Sequence, residues 1–324
     1  MFIELTKTVL VAVGQIFFLA AVGYFLVKRR FLDDSGLDSL SRIIIEISLP
    51  FLIFSELVKN FSYSLYPYWW VFPLLSILIS LAGFCTGGIF LGFIKEKKYK
   101  IQFLSLVAFQ NSGYLPLVLV ASLLPREKLE VMLIYLFLFL LGFNLLMWSV
   151  GVYLITFGRA RRFELASFFS PPVIATLISL LVVFLGLNKF IPDSILRPIR
   201  MVGDMTFPLA MFIVGGNLAK IHFTKLNKKA IFFVVLAKLV ILPGLGLVLI
   251  TRLRLPELIG LLILMELAVP PAISLSTILQ HYKKEDLLIS QGIFFGHLFS
   301  IISLPLFLGL YFALSMNFAL SIIR

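Results

Sequence analysis

Charged residues, cysteine and histidine are scarce in this chain of 324 residues. Only 14% of the residues are charged, there is one cysteine, and three histidines are scattered along the chain. Soluble domains carry about 25% charged residues, so the composition excludes a soluble enzyme, a disordered chain and a nucleic-acid-binding domain. The single Cys85 excludes an intramolecular disulfide, and the histidines lack the spacing of a zinc site.

Apolar residues make up 60% of the chain and form long continuous runs. A helix needs roughly 20 apolar residues to cross a bilayer. Lipid admits only helices and closed barrels, and continuous rather than alternating apolar runs favour helices. The sequence therefore predicts an all-α polytopic membrane protein. Its ten predicted transmembrane helices, numbered 1 to 10 along the chain, are 6–27, 37–57, 68–93, 101–124, 129–157, 170–188, 196–219, 229–251, 256–280 and 286–314.

Basic residues predict how these helices are oriented. The net charge is +12, and most Lys and Arg lie in the odd-numbered connections, such as those at 28–30 and 95–100. Because cytoplasmic loops carry the excess of positive charge, these connections are predicted to be cytoplasmic and both termini to lie on the other side. The charge therefore implies no nucleic-acid partner; contact with anionic lipid is the alternative. The apolar run Thr8–Val27 is too long for a signal-peptide core and is predicted to be the first span.

A pattern in helix 2 recurs in helix 7. Its residues Arg42, Glu46, Ser48, Pro50 and Phe54 have counterparts 158 residues later in Arg200, Asp204, Thr206, Pro208 and Phe212. Each half, 1–157 and 170–324, holds five helices, so the second half is predicted to be inverted, as in many secondary transporters. A short cytoplasmic linker, 158–169, joins them. The spacing also predicts Arg42–Glu46 and Arg200–Asp204 ion pairs, with Glu46 and Asp204 as alternative gating or coupling charges.

Helices 4 and 9 carry polar, proline-containing interruptions near their middles. Proline removes an N–H group and clashes with the preceding turn, and glycine permits the backbone angles of a break. A half-helix that starts after the break presents free N–H groups and partial positive charge, which suit a carboxylate. A simple proline kink is the alternative. The predicted substrate site comprises Asn111, Ser112, Gly113, Tyr114, Pro116, Pro270, Pro271 and Ser274.

Two charged residues fall inside predicted spans, Glu266 in helix 9 and Lys238 in helix 8. Because charge is costly within the membrane, each must face protein, water or an ion. Glu266 is a candidate either for proton or cation coupling or for a structural pair. Lys238 is a candidate either for attracting the substrate or for pairing with Glu266. Hydrogen bonds between helices are expected at Asn144, Asn217, Gln291 and His297, and His297 is also a candidate proton relay.

Several segments together resemble the auxin efflux carrier family of membrane transporters, including its bacterial members. They are Asn111–Leu117, Ser170–Ala175, Phe207–Ala219, Ala268–Ala272 and Leu304–Leu306. The resemblance implies crossing broken helices 4 and 9, a scaffold domain of helices 1, 2, 6 and 7, and a transport domain of helices 3–5 and 8–10. It also implies transport of an organic anion, such as an auxin-like indole acid or a dicarboxylate, by an elevator-like motion.

The resemblance carries over to three crossover residues, Asn111, Pro116 and Pro270. The long cytosolic loop of some plant members is absent, and helix 9 offers no asparagine near its break. Bile-acid symporters of the wider superfamily bind sodium through a run similar to the one that begins at Gln110, together with an intramembrane acid. A sodium site at Gln110, Asn111 and Glu266 is therefore a candidate; otherwise no metal is expected.

The sequence thus predicts a secondary transporter of a small organic anion, with a sodium-coupled symporter of the bile-acid type as the alternative. It contains no nucleophile-elbow or zinc-protease motif, so an enzyme is not expected. No cofactor is expected beyond sodium or a proton as candidate coupling ions. The expected partners are the substrate anion and the lipid bilayer, with a homodimer as a candidate assembly. The expected location is the inner membrane of a bacterial cell.

Overall fold

A computed structural model describes residues 2–155, 169–221, 226–281 and 287–315. Within these ranges all regular structure is helical, apart from one isolated β-bridge. The predicted all-α class is therefore confirmed for the described part of the chain. Most of the predicted linker 158–169 lies outside it.

The first half contains eight helices in the described residues. They are α1 (Phe2–Lys28), α2 (Asp34–Ile43), α3 (Leu49–Asn60), α4 (Val71–Phe90), α5 (Lys97–Ala108), α6 (Leu115–Leu123), α7 (Arg126–Leu146) and α8 (Val152–Ile155). A π-helical turn, Ile44–Ser48, joins α2 to α3, and a second, Met147–Gly151, joins α7 to α8. Asp33 caps α2 by accepting a hydrogen bond from the Gly36 N–H, and this bond lowers the pKa of the Asp33 carboxyl.

The second half also contains eight helices in the described residues. They are α9 (Pro171–Phe184), α10 (Asp193–Asp204), α11 (Thr206–Ala219), α12 (Lys228–Leu236), α13 (Leu242–Leu253), α14 (Glu257–Ala268), α15 (Ser274–His281) and α16 (Leu287–Leu314). A third π-helical turn, Ala237–Ile241, joins α12 to α13. Proline starts α9, where its missing N–H costs nothing because no intrahelical partner exists there.

In the part of the chain that the structure describes, six continuous helical segments are long and apolar enough to cross a membrane. They are Lys7–Lys28, Val71–Phe93, Arg126–Ile155, Asp193–Ala219, Lys228–Leu253 and Leu287–Leu314. The other four predicted spans are not continuous apolar helices of membrane-spanning length. The span 37–57 is rich in charge, 101–124 and 256–280 are interrupted, and 170–188 yields a helix of only 14 residues. Phe18 and Ile302 are 68% and 70% exposed, as expected of side chains that face lipid.

Helices α1 and α11 pack closely along their lengths. A Cβ atom at Gly215 would overlap the Ala20 carbonyl group, and one at Gly23 would overlap the backbone of Phe212. Small residues at a crossing let two backbones approach, which is how helices gain contact inside a membrane. This pair therefore forms a tightly packed unit between the two halves of the chain.

The structure corrects the two predicted intrahelical ion pairs. Neither Arg42–Glu46 nor Arg200–Asp204 is paired within 4.0 Å in the described residues, and both Glu46 and Asp204 are exposed. The π-helical turn that contains Glu46 changes the spacing on which an i, i+4 pair depends. Arg200 instead reaches from α10 to Glu56 of α3.

The Arg200–Glu56 pair joins the two helices in which the repeated pattern occurs. The Arg200 Nη2 atom lies 2.9 Å from Glu56 Oε1, and the Asn60 amide donates a 2.8 Å hydrogen bond to Glu56 Oε2. Glu56 is 1% exposed. A buried carboxylate needs this compensation far more than the exposed Asp204 does, which explains the choice of partner.

We expect Arg200→Gln to lower the free energy of unfolding by roughly 2 kcal/mol, because it leaves Glu56 buried without its counter-charge. The loss would be measured by thermal unfolding of the purified protein in detergent. Asp204→Asn, which alters an exposed carboxylate on the same helix, is the matched control and should have little effect. Equal losses in the two variants would contradict the assignment.

Candidate crossover site

The chain is non-helical between α5 and α6 and again between α14 and α15, and these two stretches meet. The Asn111 N–H donates to the Pro270 carbonyl at 2.9 Å, and the Ala272 N–H donates to the Phe109 carbonyl at 3.0 Å. Gln110 and Pro271 are the antiparallel bridge pair between them. The interruptions thus satisfy each other's backbone groups, which is how irregular backbone becomes tolerable at membrane depth.

The prolines and one glycine explain the local backbone. Pro116 lies in the first turn of α6, and the prolines at 270 and 271 follow Val269, which is extended as a residue before proline must be. A Cβ atom at Gly296 would lie 2.6 Å from Pro271 Cδ, so only glycine lets α16 pack directly behind the bridge. These residues shape the crossover without lining the cavity described below.

Asn111 is held by a histidine from α16. The Ile293 carbonyl accepts a 2.8 Å hydrogen bond from His297 Nδ1, so in the neutral ring Nε2 is the acceptor. Asn111 Nδ2 lies 3.2 Å from that Nε2 atom and donates to it. This contact assigns the nitrogen end of the Asn111 side-chain amide to His297. The Asn111 side-chain oxygen therefore remains available as an acceptor. His297 is fully buried.

Ser112 links the first interruption to helix α14 through its side chain. Its hydroxyl donates a 2.6 Å hydrogen bond to Glu266 Oε2, and both residues are fully buried. Lys238, on the π-helical turn that packs against α14, interacts electrostatically with Glu266 and is itself buried. Buried Gln110 also neighbours the Glu266 carboxylate. A polar cluster therefore lies directly behind the backbone bridge.

A cavity of about 150 Å³ lies on the other side of the bridge. It is bounded by the crossover, by the junction of α2 and α3, by α7 and by the start of α9. Its lining residues are Ile45, Leu49, Gln110, Asn111, Ser112, Gly113, Tyr114, Leu140, Phe143, Asn144, Met147, Trp148, Ser170, Pro172, Ala272, Ile273 and Ser274. None of these lining residues is Asp, Glu, Lys or Arg.

Three helices start at this cavity, namely α6, α9 and α15. Helix N-termini present unpaired N–H groups and partial positive charge, so their convergence favours an anion. The buried Ser170 hydroxyl at the start of α9 has no hydrogen-bond partner among the described residues. The walls formed by Phe143 and Trp148 suit an apolar portion of the same ligand.

Most of the predicted substrate residues lie together, and the predicted charges do not line the cavity. Asn111, Ser112, Gly113, Tyr114 and Ser274 line it, as does Gln110. Pro116, Pro270 and Pro271 support the backbone; Glu266 and Lys238 lie behind the bridge; and Glu46 and Asp204 are exposed elsewhere.

The contribution of α7 and of the π-helical turn Ile44–Ser48 to the cavity wall was not predicted from the sequence. Ser170 was not predicted as a site residue either, although a serine before two prolines is a common helix start. Asn144 and His297 were expected to bond between helices, with His297 also a candidate proton relay, and neither was assigned to the substrate site. A histidine inside a span needs a polar partner, and that requirement is the signal that could have linked His297 to Asn111.

Comparisons with known proteins identify a family of membrane transport proteins. A family model described as a membrane transport protein matches residues 8–166 and 160–308. An uncharacterized transporter of Methanocaldococcus jannaschii is 29% identical over 209 residues, which cover 62% of this chain and 66% of that protein. Protein PIN-LIKES 1 of Arabidopsis thaliana is 22% identical over 319 residues, which cover 76% of this chain and 66% of that protein.

This chain spans just under two thirds of the length of both relatives. The family match, by contrast, extends over nearly the whole chain, including both interruptions and the cavity between them. The resemblance drawn from the motifs is therefore confirmed, and the apolar helices are those of an integral membrane protein. The chain belongs to the membrane transport protein family, that of the auxin efflux carriers.

Proposed function

We propose that the protein is a secondary transporter of a small organic anion, such as an indole acid or a dicarboxylate. The observation that carries the proposal is the uncharged cavity at which three helix N-termini and Asn111 meet. N–H groups and amides bind a carboxylate without a fixed cation, so the anion can be released again on the far side. The apolar wall of α7 would contact the organic part of the substrate.

We further propose ten spans arranged as two inverted repeats. Ser48 and Thr206, which are equivalent in the repeated pattern, lie with their hydroxyl oxygens 2.8 Å apart, as expected near a pseudo-twofold axis. Both helices are also irregular at equivalent positions in the pattern. Helix 2 has the π-helical turn Ile44–Ser48, and helix 7 breaks between α10 and α11 at Met205. These two observations support an internal symmetry that relates helices 2 and 7.

An elevator-type motion requires two bodies with the substrate at their boundary. Helix α1 packs on α11, and α3 packs on α9 and α10, in line with a scaffold domain. Helix α4 packs on α5 and α7, and α16 packs on α12 and α14, in line with a transport domain. Helix α1 also packs extensively on α16, so this contact between the two groups would have to slide during the motion. The cavity takes Ile45, Leu49 and Ser170 from the first group and the crossover from the second. Sliding the second group would carry the bound anion past the first.

Removal of the Asn111 amide should abolish most uptake, because a hydrogen bond to a charged group contributes about 1.5–3 kcal/mol. We expect Asn111→Ala to lower uptake of the active carboxylate into proteoliposomes by roughly tenfold or more. Asn217→Ala is the matched control, since Asn217 bonds the Ile213 carbonyl of its own helix and does not line the cavity. Undiminished transport by a folded Asn111→Ala protein would overturn the site.

His297 should act as a positioning residue for Asn111. We expect His297→Leu to raise KM more than it lowers the maximal rate, because it releases the Asn111 amide without removing it. His297→Gln, whose side-chain oxygen can still accept from Asn111, should recover part of the affinity. A purely structural role would instead lower only the maximal rate, in proportion to the loss of folded protein, and leave KM unchanged.

The proposed orientation places both termini outside the cytoplasm of a bacterial cell. Lys97 and Lys189 are exposed in connections assigned to opposite sides. In a Cys85→Ser background, Lys97→Cys should react with an impermeant maleimide only after the cells are opened, whereas Lys189→Cys should react in intact cells. The reverse pattern would invert the assignment.

Sodium coupling through Gln110, Asn111 and Glu266 is the alternative mechanism. Substrate-induced thermal shifts measured in sodium and in choline chloride would distinguish it. We expect equal shifts in the two salts; a shift that requires sodium would favour the symporter.

A further inference from the structure

A buried pair of opposite charges lies behind the crossover, outside the proposed substrate cavity. Lys238 is 1% exposed and Glu266 is 0% exposed. Lys238 belongs to the π-helical turn Ala237–Ile241, and this turn packs against α14, which carries Glu266. The two groups interact electrostatically, although no ion pair as short as 4.0 Å joins them in the described residues.

Glu266 needs a positive charge nearby if it is ionised at membrane depth. Ser112 supplies one hydrogen bond, which leaves the net charge of the site negative. Among the described residues, the groups that interact with this carboxylate are Ser112, Lys238 and Gln110, and of these Lys238 is the cation. A carrier without such a side chain would need a proton or a metal ion in the same place each time its transport domain moved.

The charge pair is linked to the cavity through Ser112 and Gln110, which line the cavity and interact with Glu266. Ser112 lines the cavity and donates to Glu266, whereas neither Lys238 nor Glu266 lines it. Lys238 is therefore placed to compensate the acid rather than to hold the substrate. The state of Glu266 can still influence the substrate site, because it determines how the Ser112 hydroxyl is oriented.

We propose that Lys238 is a built-in counter-cation of Glu266, tethered where a coupling cation would otherwise bind. The transported anion then moves without sodium, and a sodium site is created only when Lys238 is removed. The inference rests on the proposed function, since coupling has meaning only for a carrier. It assigns the side chains of Glu266, Ser112 and Gln110 as the latent oxygen ligands of that site.

The test uses three variants of the full chain in detergent. Lys238→Met removes the charge at similar volume, Lys238→Arg keeps it, and Lys238→Met combined with Glu266→Gln removes both members of the pair. Unfolding temperatures are measured in sodium chloride and in choline chloride at equal ionic strength. Sodium ion is the probe, so no knowledge of the substrate is required.

We expect the wild-type protein and Lys238→Arg to unfold at the same temperature in both salts. Lys238→Met should unfold several degrees lower in choline chloride and recover most of the loss in sodium chloride. The double variant should be more stable than Lys238→Met and indifferent to sodium. Recovery of the Lys238→Met unfolding temperature in sodium alone would show that Lys238 occupies the place of a cation. The double variant by itself could not distinguish this role from that of an ordinary structural ion pair.

Three results would overturn the proposal. They are sodium stabilisation of the wild type, a Lys238→Met protein that gains nothing from sodium, and a double variant no more stable than the single one. If Lys238→Met fails to fold in choline chloride, its yield in sodium chloride and the stability of the double variant decide the question. None of these readouts uses uptake, so failure here is distinct from failure of the Asn111 test.

Discussion

The requirement that every buried backbone polar group find a partner governs this molecule. Both interruptions release N–H and C=O groups in a region where no water is expected, and each stretch on its own would be prohibitively costly. The pairing of Asn111 with Pro270 and of Phe109 with Ala272 resolves both costs together. The crossover is therefore a single structural unit, and the two halves of the chain cannot form it independently.

Much of the fold followed from the sequence because lipid leaves few choices. Continuous apolar runs predicted the all-helical class and six of the membrane-length helices, and the prolines near 116 and 270 located the breaks. Proline and glycine act on their own backbone, so their effect is local and can be predicted. Side-chain partnerships were harder. The spacing of Arg200 and Asp204 indicated a pair, but the partner is Glu56 on another helix.

In the site, too, local backbone features were predictable from the sequence and contacts between distant side chains were not. The polar run from Gln110 to Tyr114 and Ser274 were predictable because they flank the breaks. The far wall, with Trp148 and Ser170, depends on how α7 and α9 pack against the crossover, and no local pattern encodes that packing. The bond between His297 and Asn111 spans 186 residues and was equally invisible. Burial of a histidine predicts only that a partner exists, and the fold alone determines which residue it is.

Each of the three π-helical turns in the described residues holds one extra residue relative to an α-helical path. They lie at Ile44–Ser48, Met147–Gly151 and Ala237–Ile241; the first two border the cavity and the third carries Lys238. Loss of one residue from any of them would rotate everything beyond it by about 100° around the helix axis, since an α-helix has 3.6 residues per turn. An insertion or deletion of one residue at any of these three turns would therefore turn a whole helix face toward or away from the cavity. Such a change could alter which solute is bound more than a substitution within the cavity would.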